Sequence, residues 1–170
     1  MKNRIRDLEK FKMTSSAHCV ESHIDWLERG AYWFDAPYQR AYVWKKKQQQ
    51  EFLTTLVSGF PLGSIAIAKH DDWARKDGPW LEVVDGKQRL MTIQKFIFGE
   101  IPLQLPAGDV YWHDLERGEK RAFGRAPLPL ITLFEATDKM TIDYFIAVNF
   151  TGLPQSNNHK LNVLKMRGEM

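Results

Sequence analysis

Cysteine is almost missing from this chain. Cys19 stands alone, so no disulfide can close within it. Long apolar runs are missing too. None approaches the roughly 18–20 residues that cross a bilayer, which argues against a membrane partner. The opening residues, MKNRIRDLEKFKM, lack the apolar stretch of a secretory signal. Together these absences point to a reducing cytosol, that of a bacterium or a phage-infected host. There is no internal repeat and no low-complexity tract. Nor does one sign of charge dominate, since 24 Lys and Arg face 21 Asp and Glu for a net +3. With a pI near 8.9, that mild excess permits a nucleic-acid partner without requiring one.

What is present is ordinary for a folded domain. The 170 residues are 44% hydrophobic and 26% charged, enough for one packed core. Six tryptophans are many for this size, and they read as core and rim residues rather than base-stacking platforms.

The pattern along the chain mixes short helices and strands. Residues 1–12 alternate basic and acidic and read as a solvated helix or arm. Residues 20–29 form a short helix closed by Gly30. Ala31–Phe34 is an aromatic strand, and Asp35–Trp44 (DAPYQRAYVW) a loop. Lys45–Ser58 is an amphipathic helix with Phe52, Leu53, Leu56 and Val57 on one face. Ser64–Lys69 and Trp80–Val84 are strands either side of a polar loop. Lys87–Phe98 is a helix with Leu90, Ile93, Phe96 and Ile97 in register. Residues 100–126 are broken up by Pro102, Pro106 and Gly108 and give no clear element. Leu128–Phe134 is a strand, Lys139–Asn149 a helix, and Leu161–Met166 a last short helix. The expected fold is a compact α+β domain.

Three stretches carry candidate chemistry. Asp85-Gly86-Lys87-Gln88-Arg89 lies on a hinge between strand and helix. A helix N-terminus offers unpaired backbone N–H groups and a positive dipole end. Gly86 permits a tight turn. Arg89 suits bidentate contact with phosphate oxygens and Lys87 adds a point charge. Gln88 suits a water, ribose or base edge, and Asp85 a metal or Arg89. The alternative is a plain N-cap with its cations in solvent. The second stretch, Pro37–Trp44, holds another Gln-Arg pair, Gln39 and Arg40, in an aromatic loop before Lys45, Lys46 and Lys47. The third, Asn149–Ser156, reads as a helix end and turn, with Asn149 and Thr151 able to close a polar pocket.

These residues resemble a known family. PYQRAYVW, PLGSIAI, LEVVDGKQRLMTI and FIAVNFTGLPQS, in this order, look like the N-terminal domain of the GmrSD restriction enzymes, within the ParB/sulfiredoxin superfamily. The resemblance covers roughly Ile24 to Ser156. It implies a ParB-like domain with a small mixed sheet packed by helices, with 1–19 an arm, 20–158 the domain and 159–170 a tail. It also implies a site that binds nucleoside triphosphate phosphates and supports their hydrolysis. Asp85, Gln88, Arg89 and Arg40 would be catalytic, with Mg²⁺ on Asp85. Gln39, Arg40, Gly86, Lys87, Arg89 and Asn149 would hold nucleotide. Arg40, Lys45, Lys46 and Lys47 would face DNA. Lys87 departs from the family pattern, standing where a Gln is usual.

Family members usually carry a separate HNH nuclease domain. His113, His159 and Asn162 are too scattered to build one, so a stand-alone form from a phage or defence setting is expected. Its reaction would be NTP hydrolysis or DNA nicking, alone or with a partner nuclease. The alternatives are a non-catalytic nucleotide or DNA switch and a protein inhibitor of a host enzyme. Sulfiredoxin-like chemistry is discounted because Cys19 lies outside both motifs. The oligomeric state stays open.

Overall fold

The structure is a computed structural model that describes residues 11–70, 79–150 and 157–168. The chain runs β1 (Met13–Ser16), α1 (Val20–Glu28), β2 (Tyr32–Trp33), α2 (Lys46–Val57), β3 (Ile65–Ala68), β4 (Leu81–Asp85) and α3 (Lys87–Ile97). It continues through β5 (Leu103–Leu105), β6 (Gly108–Val110), α4 (Arg117–Gly124), β7 (Leu130–Leu133), α5 (Asp138–Phe150) and α6 (Asn157–Gly168). Five strands make one sheet in the order β1-β7-β3-β4-β2, and β5-β6 is a separate hairpin. The pairs β1–β7 and β3–β4 are antiparallel, while β7–β3 and β4–β2 are parallel. The sheet is therefore mixed, as expected.

Alternation along the strands splits the core into two layers. Ile65, Ile67, Leu81, Val83 and Leu130 face one way, onto Leu27 of α1, Leu53 and Leu56 of α2, Leu90, Ile93 and Phe96 of α3, and Phe123 of α4. Ala66, Ala68, Val84 and Leu133 face the other, onto Ile142 and Phe145 of α5 and Val163 of α6. Small side chains on this second face let α5 approach closely. His23 of α1 is fully buried in the first layer. Its Nε2–H donates to the Leu128 carbonyl at 2.8 Å, and its Nδ1 accepts from the Tyr32 hydroxyl at 2.7 Å. Burial lowers its pKa to about 4, so the ring is neutral.

Four elements depart from the sequence reading. β1 lies in a stretch read as part of an arm, whose first ten residues fall outside the described ones. In the ambiguous region 100–126 the chain folds into the β5–β6 hairpin and α4. The hairpin is tied to α2 by Gln50, which donates to the Pro102 carbonyl and accepts from the Gln104 N–H. α4 starts with a reciprocal cap in which Glu119 accepts from the Glu116 N–H at 2.7 Å. The polar loop expected at 71–78 and the turn at 151–156 lie outside the described residues.

Candidate functional site

The site begins with an irregularity in β4. Ile67 pairs with Val83, yet Ala66 pairs with Asp85, so Val84 is an extra residue. This β-bulge shifts the alternation by one. Opposed residues share a face, so Asp85 lies on the side of Ala66 and α5, not the side of Val83. Gln39 meets the disturbed ladder. Its Nε2 donates to the carbonyls of Val83 and Val84 at 2.9 and 2.7 Å.

After the bulge the chain turns through Gly86, which caps α3 with φ +97°. That left-handed conformation favours glycine. A side chain is also blocked, because a Cβ there would overlap Cδ1 of buried Ile65. α3 then starts with Lys87, Gln88 and Arg89, and its first turn holds no acid. The first N–H groups have no partner within the helix. Two cations thus sit at the positive end of the helix dipole, an arrangement that an anion would relieve.

Those side chains also organise the surrounding loops. Arg89 donates from Nη1 to the Leu62 carbonyl at 2.6 Å, and from Nη2 to the Ser64 carbonyl and Asp85 Oδ2, each at 2.9 Å. Burial lowers its pKa, which Asp85 partly offsets, and the guanidinium stays charged. Lys87 Nζ donates to the Phe34 carbonyl at 2.7 Å and lies 3.5 Å from Asp35. The Gln88 amide clasps the 41–44 loop. Its Oε1 accepts from the N–H groups of Val43 and Trp44 at 2.9 and 3.3 Å, and its Nε2 donates to the Ala41 carbonyl at 3.1 Å. Gln88 and Gln39 are therefore positioning residues here, and most of Arg89's donors reach protein oxygens.

Between these parts lies a cavity of about 150 Å³. The structure brings Gln39, Arg40, Asp85, Gly86, Lys87, Gln88, Arg89 and Asn149 to its wall, although the two motifs are some 45 residues apart. Arg40 is exposed, and among the described residues it has no hydrogen bond or ion pair. Asp85 keeps Oδ1 free of any partner among the described residues. Asn149 donates from Nδ2 to the Phe145 carbonyl. Trp44, the last residue of the second candidate stretch, and Phe145, which sequence reasoning did not single out for the site, add apolar surface to the wall. Lys45, Lys46 and Lys47 are exposed at the start of α2 and do not line the cavity, and Lys47 lies 3.8 Å from Glu51.

A second polar group was not foreseen. Glu82 is buried in β4, where the Tyr38 hydroxyl donates to one oxygen and His70 pairs with the other. The bond to Glu82 raises the His70 pKa. Among the described residues no three His, Cys, Asp or Glu side chains gather as a metal site. No helix among them is long and apolar enough to cross a membrane.

A family model described as the N-terminal domain of the GmrSD restriction endonuclease matches residues 24–164. No curated protein matches the chain. Among solved structures, the C-terminally truncated chromosome-partitioning protein ParB from Caulobacter crescentus, complexed with CTP-gamma-S, is similar at a TM-score of 0.45 and 12% sequence identity. That likeness covers 90% of this chain and 62% of the ParB chain, so this chain spans less than two thirds of it.

Proposed function

The chain belongs to the family of GmrSD restriction endonuclease N-terminal domains, and on that footing we propose that its cavity binds the phosphates of a nucleoside triphosphate and hydrolyses them. The observation that supports this is the convergence of Arg40 with an α3 N-terminus already bearing Lys87 and Arg89. Arg40 is the guanidinium with donors to spare, so it grips the phosphate and offsets charge in the transition state. The first N–H groups of α3 receive the remaining oxygens. Arg89 holds Asp85 and the Leu62–Ser64 turn in place, which fixes where Asp85 points.

Mg²⁺ commonly takes one or two protein carboxylates and completes its shell from substrate phosphates and water. One Asp85 oxygen without a partner among the described residues, beside a phosphate cavity, fits that pattern. When bound, the ion would neutralise phosphate charge. DNA backbone presents anionic phosphate oxygens too, on phosphodiesters rather than phosphoanhydrides, and Lys45–Lys47 form an exposed basic stretch next to the loop.

The test pairs the wild type with Arg40→Ala. Each of four NTPs and supercoiled plasmid is incubated with Mg²⁺, and phosphate release and nicking are followed. Loss of 10²-fold or more in one activity is the expected outcome. Equal rates in both proteins would remove Arg40 from the chemistry. A binding switch without turnover is the second reading. Among the described residues Asp85 is the only acid on the wall, and one of its oxygens is engaged by Arg89. Tight nucleotide binding with no product would favour that reading.

A further inference from the structure

The cavity just described is too small for a whole nucleotide. At about 150 Å³ it falls below the roughly 300–1,000 Å³ of pockets that enclose drug-sized ligands. A second cavity of about 460 Å³ lies on the same face of the sheet. Three segments build both, and each contributes in the same order. The 37–40 segment gives Tyr38 to the larger cavity and Arg40 to the smaller. β4 gives Glu82 and then Asp85, while α5 gives Asp138 and Thr141 and then Asn149. The two therefore lie end to end. Three residues along β4 cover roughly 10 Å at strand rise, the length scale of a nucleotide from base to phosphates.

The larger cavity has the chemistry of a base site. Trp33, Ile142 and Met166 offer flat or adaptable apolar surface. The polar groups at its wall are rich in acceptors. Asp138 is an exposed carboxylate on the first turn of α5, and each Glu82 oxygen retains a lone pair beyond the bond it already accepts. Carboxylates recognise N–H donors. Resting on the phosphate reading above, we propose that this second cavity holds the base of the bound nucleotide and selects bases with an exocyclic amino group over uracil.

Binding of inorganic tripolyphosphate, CTP, ATP, UTP and the free nucleosides to the full chain is measured by calorimetry, for wild type and Asp138→Asn. CTP or ATP should bind about tenfold or more tighter than tripolyphosphate, and UTP should lag behind. Asp138→Asn should narrow the gap between amino-bearing bases and UTP while leaving tripolyphosphate affinity unchanged. Asp138 is exposed and Asn is isosteric, so the variant is expected to fold. Equal affinity of tripolyphosphate and all the NTPs would overturn the base site and leave the phosphate site standing. Weak binding of cytidine or adenosine that depends on Asp138, without tripolyphosphate binding, would overturn the phosphate site alone. Neither phosphates nor nucleosides binding would overturn both.

Discussion

Replacing Gly86 with alanine tests the hinge directly. Two penalties are separable there. The φ of +97° is disfavoured for an L-residue, by about 1–2 kcal/mol on the usual scale for left-handed backbone. The new methyl also meets Cδ1 of Ile65, which is fully buried, and overpacking of this kind costs about 1–3 kcal/mol. Gly86→Ala should therefore lose about 2–5 kcal/mol in urea denaturation. Ile65→Val removes Cδ1 and alone should cost about 0.5–1.5 kcal/mol. If the clash is real, the double variant recovers the overpacking part, and the cycle shows a coupling of about 1–3 kcal/mol. The backbone part persists. Strict additivity, or a Gly86→Ala loss below about 0.5 kcal/mol, would refute the reasoning.

Other expectations follow from buried polar groups. His23 has a folded pKa near 4 against about 6.5 unfolded, so the unfolded chain holds the extra proton between those values. Stability should fall as pH drops from 6.5, by on the order of 3 kcal/mol at pH 4, and His23→Gln should flatten that slope. His70 works in the opposite sense. Its pKa is raised by Glu82, so its contribution is complete below about 6.5 and lost as pH climbs through the folded value. His70→Gln should remove that upper limb in pH-dependent melting. Lys87→Met should cost about 1–3 kcal/mol, because the Phe34 carbonyl loses its donor, and should weaken phosphate binding by calorimetry, because one of the two cations at the α3 N-terminus is gone. Unchanged affinity would confine the Lys87 ammonium to the Phe34 carbonyl. Gln88→Leu should release the 41–44 loop, seen as faster amide exchange at Val43 and Trp44.

The sequence made the scaffold legible where local signals agreed. The Phe52–Leu56 and Leu90–Ile97 stripes predict α2 and α3 because helical spacing alone places them on one face. Asp-Gly before such a stripe announces the hinge. The residue types of the two Gln-Arg motifs point to one site, and both line its cavity. What each side chain binds is another matter. Arg89 and Gln88 look like ligand contacts in a linear reading, but their partners come from residues 62–64 and 41–44, which only the tertiary fold brings near. α4 escaped notice because Gly118 and its charges mask a weak apolar face. β1 has no periodicity of its own and is held by its pairing with β7.

The extra residue at Val84 gives the site a parity rule. In a strand, whether a residue belongs to one layer or the other depends on whether its count is odd or even. The bulge adds one to that count just before the acid. Every letter of the Asp-Gly-Lys-Gln-Arg motif could survive if Val84 took a regular place in the ladder instead of bulging, yet Asp85 would then lie on the side of Val83, facing α3 and the first core layer. A related chain could thus keep the whole signature and lose the site by a one-residue slip in pairing. For this hinge, how β4 pairs with β3 is as informative as the letters of the motif.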